Sequence, residues 1–179
     1  MNNNNAKLVE IPNKQEQLQR LNVGYAFEPE IVMDNYLEQF EDIYARFVMP
    51  ESEEGTPNGS LSYPDFLQAI YALSTLHFQA IDSLSEDESQ IASSEQDVIA
   101  IVGRLAALYG NDEQAIYEAV GLCLVALDGT LEEHENDIQE LTNPADRFEA
   151  WRLCLYEIYE IAYLHIIAME AAAKAKLSR

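Results

Sequence analysis

The groups in this sequence that could do chemistry are carboxylates, three histidines and two cysteines, and their spacing limits the chemistry open to them. Two Glu-x-x-Glu pairs, Glu38/Glu41 and Glu157/Glu160, put carboxylates one helical turn apart. Four carboxylates on two helices form a donor set for Mg²⁺ or Mn²⁺. The fuller signature of a dinuclear bundle site places Glu three residues before His. Here the residues three before His77, His134 and His165 are Ser74, Leu131 and Ala162. Glu38 and Glu41 also fall on the polar stripe of their segment. A carboxylate-metal enzyme is therefore the third-ranked reading, and no cofactor is expected.

Covalent chemistry has less to work with. Cys123 lies between Leu122 and Leu124, and Cys154 between Leu153 and Leu155. A thiol buried among aliphatic groups has a raised pKa and is a poor nucleophile. Both read as buried thiols of a reducing, cytoplasmic compartment. The glycines at 103, 110, 121 and 129 are isolated, so no phosphate-binding loop is formed; Gly103 and Gly121, inside helical patterns, read as points of close helix approach. His77 and His165 lie on apolar helix faces and read as hydrogen-bonded core histidines. His134 follows Glu132 and Glu133 and is expected in solvent. Tyr156, Tyr159 and Tyr163 form a stripe that suits a core or an interface more than a ligand pocket. Catalysis is not expected.

Charge is more informative. The 179-residue chain has a net charge of −22. Segment 28–149 holds 27 acids and three bases, Arg46, Arg104 and Arg147, while each flank is slightly positive. Such a surface repels nucleic acid and anionic membrane and attracts a basic protein. The acids concentrate in tracts 28–54, 85–97 and 130–149. The candidate partner-binding residues are Asp34, Glu38, Glu41 and Asp42; Glu86, Asp87 and Glu88; and Glu132, Glu133, Glu135, Asp137 and Glu140. One helix with an acid every fourth residue carries a charge per roughly 6 Å, against one per about 1.7 Å for B-DNA. A single acidic helix is too dilute to mimic a duplex, whereas two or three side by side approach it.

The elements that must position these acids are helices. Residues 1–12, an Asn run ending in Pro12, read as a disordered tail, and 13–179 as one all-α domain. A short helix is expected over 13–22, broken by Gly24. Pro29 opens the next, whose apolar residues from Ile31 to Val48 recur at three- and four-residue spacing. An acidic loop fills 50–60. Ser62 with Pro64 and Asp65 starts a helix ending near Ser83. Ser85/Glu88 and Ser94/Asp97 suggest a frayed turn at 86–92 and a helix over 95–109 closed by Gly110. Asn111 is expected to cap a helix over 112–127 ended by Gly129, and Thr130/Glu133 to box the start of another over 131–142. Asn143-Pro144 opens the last, long and largely apolar helix, which should be central or at an interface. The total is a bundle of six or seven helices. No 18-residue uncharged apolar stretch is present and the closest candidate, 153–169, carries Glu157, Glu160 and His165, so neither a membrane span nor a signal peptide is expected.

The leading reading is a non-catalytic cytoplasmic protein whose acidic helices engage a basic partner surface, as an inhibitor or nucleic-acid mimic; a nucleic-acid-binding protein is the natural target. It would not contact nucleic acid itself. The alternative is a structural or assembly subunit, or an adaptor, that associates through the long C-terminal helix, with a copy of itself or a host complex.

Overall fold

In the computed structural model, residue 8 and residues 10–47, 61–85 and 94–179 are described. They form six α-helices: α1 (Lys14–Phe27), α2 (Pro29–Arg46), α3 (Tyr63–Asp82), α4 (Glu95–Tyr109), α5 (Glu113–Glu140) and α6 (Pro144–Leu177). The chain is an all-α bundle. No strand occurs among the described residues, and one isolated bridge joins Phe47 to Leu61. The acidic loop at 50–60, the turn at 86–92 and the candidate acids Glu86, Asp87 and Glu88 lie outside the described residues, as do residues 1–7 and 9 of the tail. Leu8 is half-buried against the core.

The helix starts follow local chemistry. Ser62 Oγ accepts from the Asp65 amide at 3.4 Å, Ser94 Oγ from the Asp97 amide at 3.2 Å, and Asn143 Oδ1 from the Ala145 amide at 2.9 Å. The cap of α5 is Asp112, whose Oδ1 accepts from the Ala115 amide at 2.9 Å, one residue later than Asn111. Pro29 keeps Glu28 out of the helical region, so one non-helical residue turns α1 into α2.

Two expected breaks are absent. α1 runs through Gly24 to Phe27 because Leu18, Leu21 and Tyr25 continue one face, and Tyr25 is buried. α5 runs through Gly129 as a single 28-residue helix, so neither a stop at 127 nor a capping box at Thr130 exists. The reason is phase. Leu127, Leu131, His134 and Ile138 follow at four-, three- and four-residue steps, so the buried stripe crosses the glycine unbroken. One exposed glycine costs about 1 kcal/mol of helix propensity, less than that burial returns.

α6, 34 residues and about 50 Å long, is the axis of the bundle. It packs against α3, α4 and α5, and α1 and α2 close over α3. Rings zip the α3–α6 contact: Tyr71 lies against Tyr159 and Tyr163, and Phe78 against Tyr156 and Tyr159. The tyrosine stripe of α6 is thus interior packing. Ile158, Ala162 and Leu155 from α6 meet a core that includes Phe66, Leu67, Ile70 and Ile81 from α3. By length and composition it is α5, and not 153–169, that holds a window apolar enough to span a membrane; Leu122 and Val125 in it are exposed.

Candidate protein-binding face

Two of the acidic tracts come together. At one end of α2, Arg147 at the start of α6 donates Nε and Nη2 to the two carboxylate oxygens of Glu30, at 2.8 and 3.2 Å. Its Nη1 donates to the carbonyls of Ile138 and Leu141, at 2.7 and 3.1 Å, closing the C-terminal end of α5. At the other end of α2, the Tyr44 hydroxyl donates to Asp128 of α5 at 3.2 Å. These two bridges fix direction and register. Glu30 is joined through Arg147 to the end of α5 and Tyr44 to Asp128, so α2 and the C-terminal half of α5 run in antiparallel sense, linked by these side chains and not by a packed helix–helix contact. The fork on Glu30 also holds its carboxyl below the ordinary carboxylate range.

Helical phase then decides where each acid points. On α2, Met33, Tyr36 and Phe40 face the core, and Asp34, Glu38, Glu41 and Asp42 are all exposed. At roughly 100° per residue, Asp34 and Glu41 follow the flank toward α5 and Glu38 and Asp42 point straight out. On α5, Leu127 and Ile138 face the core. Glu132 follows the flank toward α2, while Glu133 and Glu140 point outward on the same side of the bundle. Asp137 turns to the far flank. Glu135 is half-buried, close enough to Cys154 to act on it electrostatically. Of the nine described candidates, seven therefore share one face.

The remaining candidates are interior or partnered. His134 is not in open solvent: it is half-buried, with Nε2 at 2.9 Å from Glu157. That contact takes up Glu157, and no group of three or more potential metal ligands gathers among the described residues. His77 Nδ1 shares a 2.6 Å hydrogen bond with the Tyr25 hydroxyl; His165 Nδ1 shares one of 2.7 Å with Tyr109, which itself meets Tyr63 at 2.6 Å. Burial pushes both histidines down to about 4, so both are neutral rings in the core. Cys123 and Cys154 are unpaired and buried, and burial pushes the Cys123 thiol up to about 12 and Cys154 also upward. Such thiols are inert.

The spacing of the acids left out the two bridges that align them. Arg147 was signalled by its rarity, as one of three bases in the acidic segment. Tyr44 and Asp128 carried no such mark. A Cβ on Gly103, Gly121 or Gly129 would meet nothing within 4 Å, so none of the three marks a close helix approach. The chain matches no family model, no curated protein and no solved structure.

Proposed function

We propose that the α2–α5 face binds a basic surface of a partner protein without catalysis, competing there with nucleic acid. The carrying observation is the antiparallel alignment of α2 with the C-terminal half of α5. Residues 30–46 and 128–140 together hold eleven acids and one base, Arg46. At helical rise the first extends about 24 Å and the second about 18 Å, and B-DNA carries about 14 phosphates over the longer of the two. The seven acids that share the face supply about half the duplex charge over that length, four from α2 and three from α5, which neither helix reaches alone. A protein that handles nucleic acid is the partner class this charge suits.

The test compares the protein with a variant carrying Asp34→Asn, Glu38→Gln, Glu41→Gln, Glu132→Gln and Glu133→Gln. Both are immobilised, loaded with host extract and eluted in a salt gradient. Proteins held by the first, released from the second at markedly lower salt, and displaced by duplex DNA are the expected outcome. Equal retention on both columns would overturn the reading.

A second reading, assembly, is supported by exposed apolar side chains on α4 and α5 as well as on the C-terminal helix. α6 buries most of its apolar circumference, leaving Leu153 and Leu177 exposed, and Ile99 on α4 and Leu122 and Val125 on α5 are exposed as well. Sedimentation as a clean monomer would remove self-association.

A further inference from the structure

α4 and α5 form a hairpin about the turn at 110–112, and both pack on α6, so each shows its opposite side to solvent. Residues 98–127 carry three acids and one base, a break in the acidity of the surrounding segment. Two of those acids are engaged at the turn. Asp112 caps α5, and Glu113 accepts from the Tyr117 hydroxyl at 3.4 Å. Arg104 on α4 and Glu118 on α5 remain, both exposed and in no ion pair among the described residues.

The rest of this surface is apolar. Ile99 of α4 is 64% exposed, and Leu122 and Val125 of α5 are 50% and 73% exposed. Of an 18-residue apolar window in α5 only 22% is buried, so most of it lies outside the core of its own chain. Gly103 and Gly121 open onto empty space, which leaves the backbone of both helices approachable.

Position makes this surface complementary to itself. Arg104 precedes Asn111 by seven residues and Glu118 follows it by seven, about 10 Å of helix on either side, so the two stand level. A two-fold axis running along the hairpin lays α4 of one copy on α5 of the other and keeps every height unchanged. Arg104 of each copy then meets the partner's Glu118, giving two ion pairs from one surface. A chain of net charge −22 meets its own copy with least repulsion where its charge is lowest and the remainder is matched. Two adjacent helices the length of α4 offer a footprint of about 450 Å² on each copy, the size of a weak, reversible contact.

We infer that the α4–α5 hairpin is a two-fold contact between copies of this chain, with Arg104 of one against the partner's Glu118. The inference rests on the assembly reading, to which it assigns a surface, and it uses none of the seven acids of the α2–α5 face.

Sedimentation equilibrium from about 10 µM to about 1 mM protein covers the affinity such a contact supports. NaCl at about 300 mM shortens the Debye length to under 6 Å and screens the general repulsion between copies. The original chain is expected to show a monomer–dimer equilibrium. Arg104→Glu and Glu118→Arg each set like charges against each other at both pairs and should weaken the dimer by about tenfold or more. The double variant restores opposite charges and should return to within about threefold of the original. General repulsion alone would move the two single variants in opposite directions, because Glu118→Arg lowers the net negative charge and Arg104→Glu raises it. Leu122→Ser with Val125→Ser should also weaken the dimer. All four positions are exposed, and circular dichroism checks that each variant keeps its helices. A chain that stays monomeric to about 1 mM overturns both this inference and the assembly reading. A dimer that Glu118→Arg tightens, or that the double variant fails to restore, overturns this inference alone. The variant with five neutralised acids should dimerise no less tightly than the original chain; loss of its dimer would place the contact on the acidic face instead.

Discussion

Carboxylates do opposite work in two regions of this bundle. Where α3 ends against α6, Asp82 and Glu149 flank Arg152, whose side chain is 1% exposed; Asp82 accepts from Nη1 at 2.7 Å and Glu149 from Nε and Nη2. There the acids neutralise a buried cation and tie two helices together. On the α2–α5 face the same residue types stand in water, with Arg147 on Glu30 and Arg46 on Asp42. The chemistry of the groups is identical. What differs is whether a buried cation needs them, and that decides whether an acid stabilises the fold or projects a field.

The comparison breaks first at Arg152. Replacing it by Met keeps most of the volume and leaves Asp82 and Glu149 without their cation. Removing one member of a buried ion pair costs about 3–5 kcal/mol, and the lower end is expected because both carboxylates retain water contact. A fall in the urea midpoint with an unchanged m-value would confirm it. A loss under about 1 kcal/mol would show that these acids are no more structural than those of the face.

Acid should probe the interior in the same way. The folded chain keeps His77 and His165 neutral down to about pH 4, while the unfolded chain takes up a proton near pH 6.5. The unfolded state therefore binds more protons as pH falls through that window. Their contribution is intact above about pH 6.5 and drains away toward pH 4, by about 1.4 kcal/mol per pH unit for each ring. His165→Gln, which still offers Tyr109 an acceptor, should flatten the slope of unfolding free energy against pH by one proton. An unchanged slope would place the titrating group elsewhere.

How much of this could be read in the residues depended on how local the cause is. Caps were legible because Ser62, Ser94 and Asn143 reach only two or three residues along the chain. Helix 95–109 and the final helix were legible for the same reason. The acidity of 28–149 was plain, yet its gathering onto one face was not, because it rests on contacts across 117 and 84 residues, Arg147 to Glu30 and Tyr44 to Asp128. Nothing local to Arg152 marks it as buried; its partners Asp82 and Glu149 are brought to it by tertiary packing and by the helix turn before it.

Salt sharpens the comparison from the other side. The face acids repel one another, and like charges at i,i+4 such as Asp34 and Glu38 destabilise a helix by about 0.2–0.5 kcal/mol per pair. Raising NaCl from about 20 to 300 mM shortens the Debye length from roughly 20 Å to under 6 Å. The melting temperature of the original chain should rise over that range, and the variant with five neutralised acids should start higher and rise less, by about 1 kcal/mol in all. Arg152, buried, should respond little. Equal salt response in the two chains would mean that the face carries no concentrated charge.

The smallest effects, of opposite sign, come from two glycines that the sequence alone presents as the same kind of helix breaker. A Cβ built on Gly24 would lie 2.6 Å from Val32 Cγ2, where α1 and α2 approach around their single-residue corner. Gly24→Ala must push that valine away and should cost about 1 kcal/mol or more. Gly129 has nothing within 4 Å and lies in the middle of α5. Gly129→Ala should therefore stabilise by about 0.5–1 kcal/mol, the propensity gained with no contact disturbed. The second substitution also bears on the acidic face. It stiffens α5 beside Asp128, the residue that registers α5 against Tyr44 of α2, so a stabilised chain that also holds its basic partner more tightly would tie the continuity of α5 to the alignment of the face. Destabilisation at Gly129 would mean instead that α5 needs a flexible point there, and that its two halves act as separate helices.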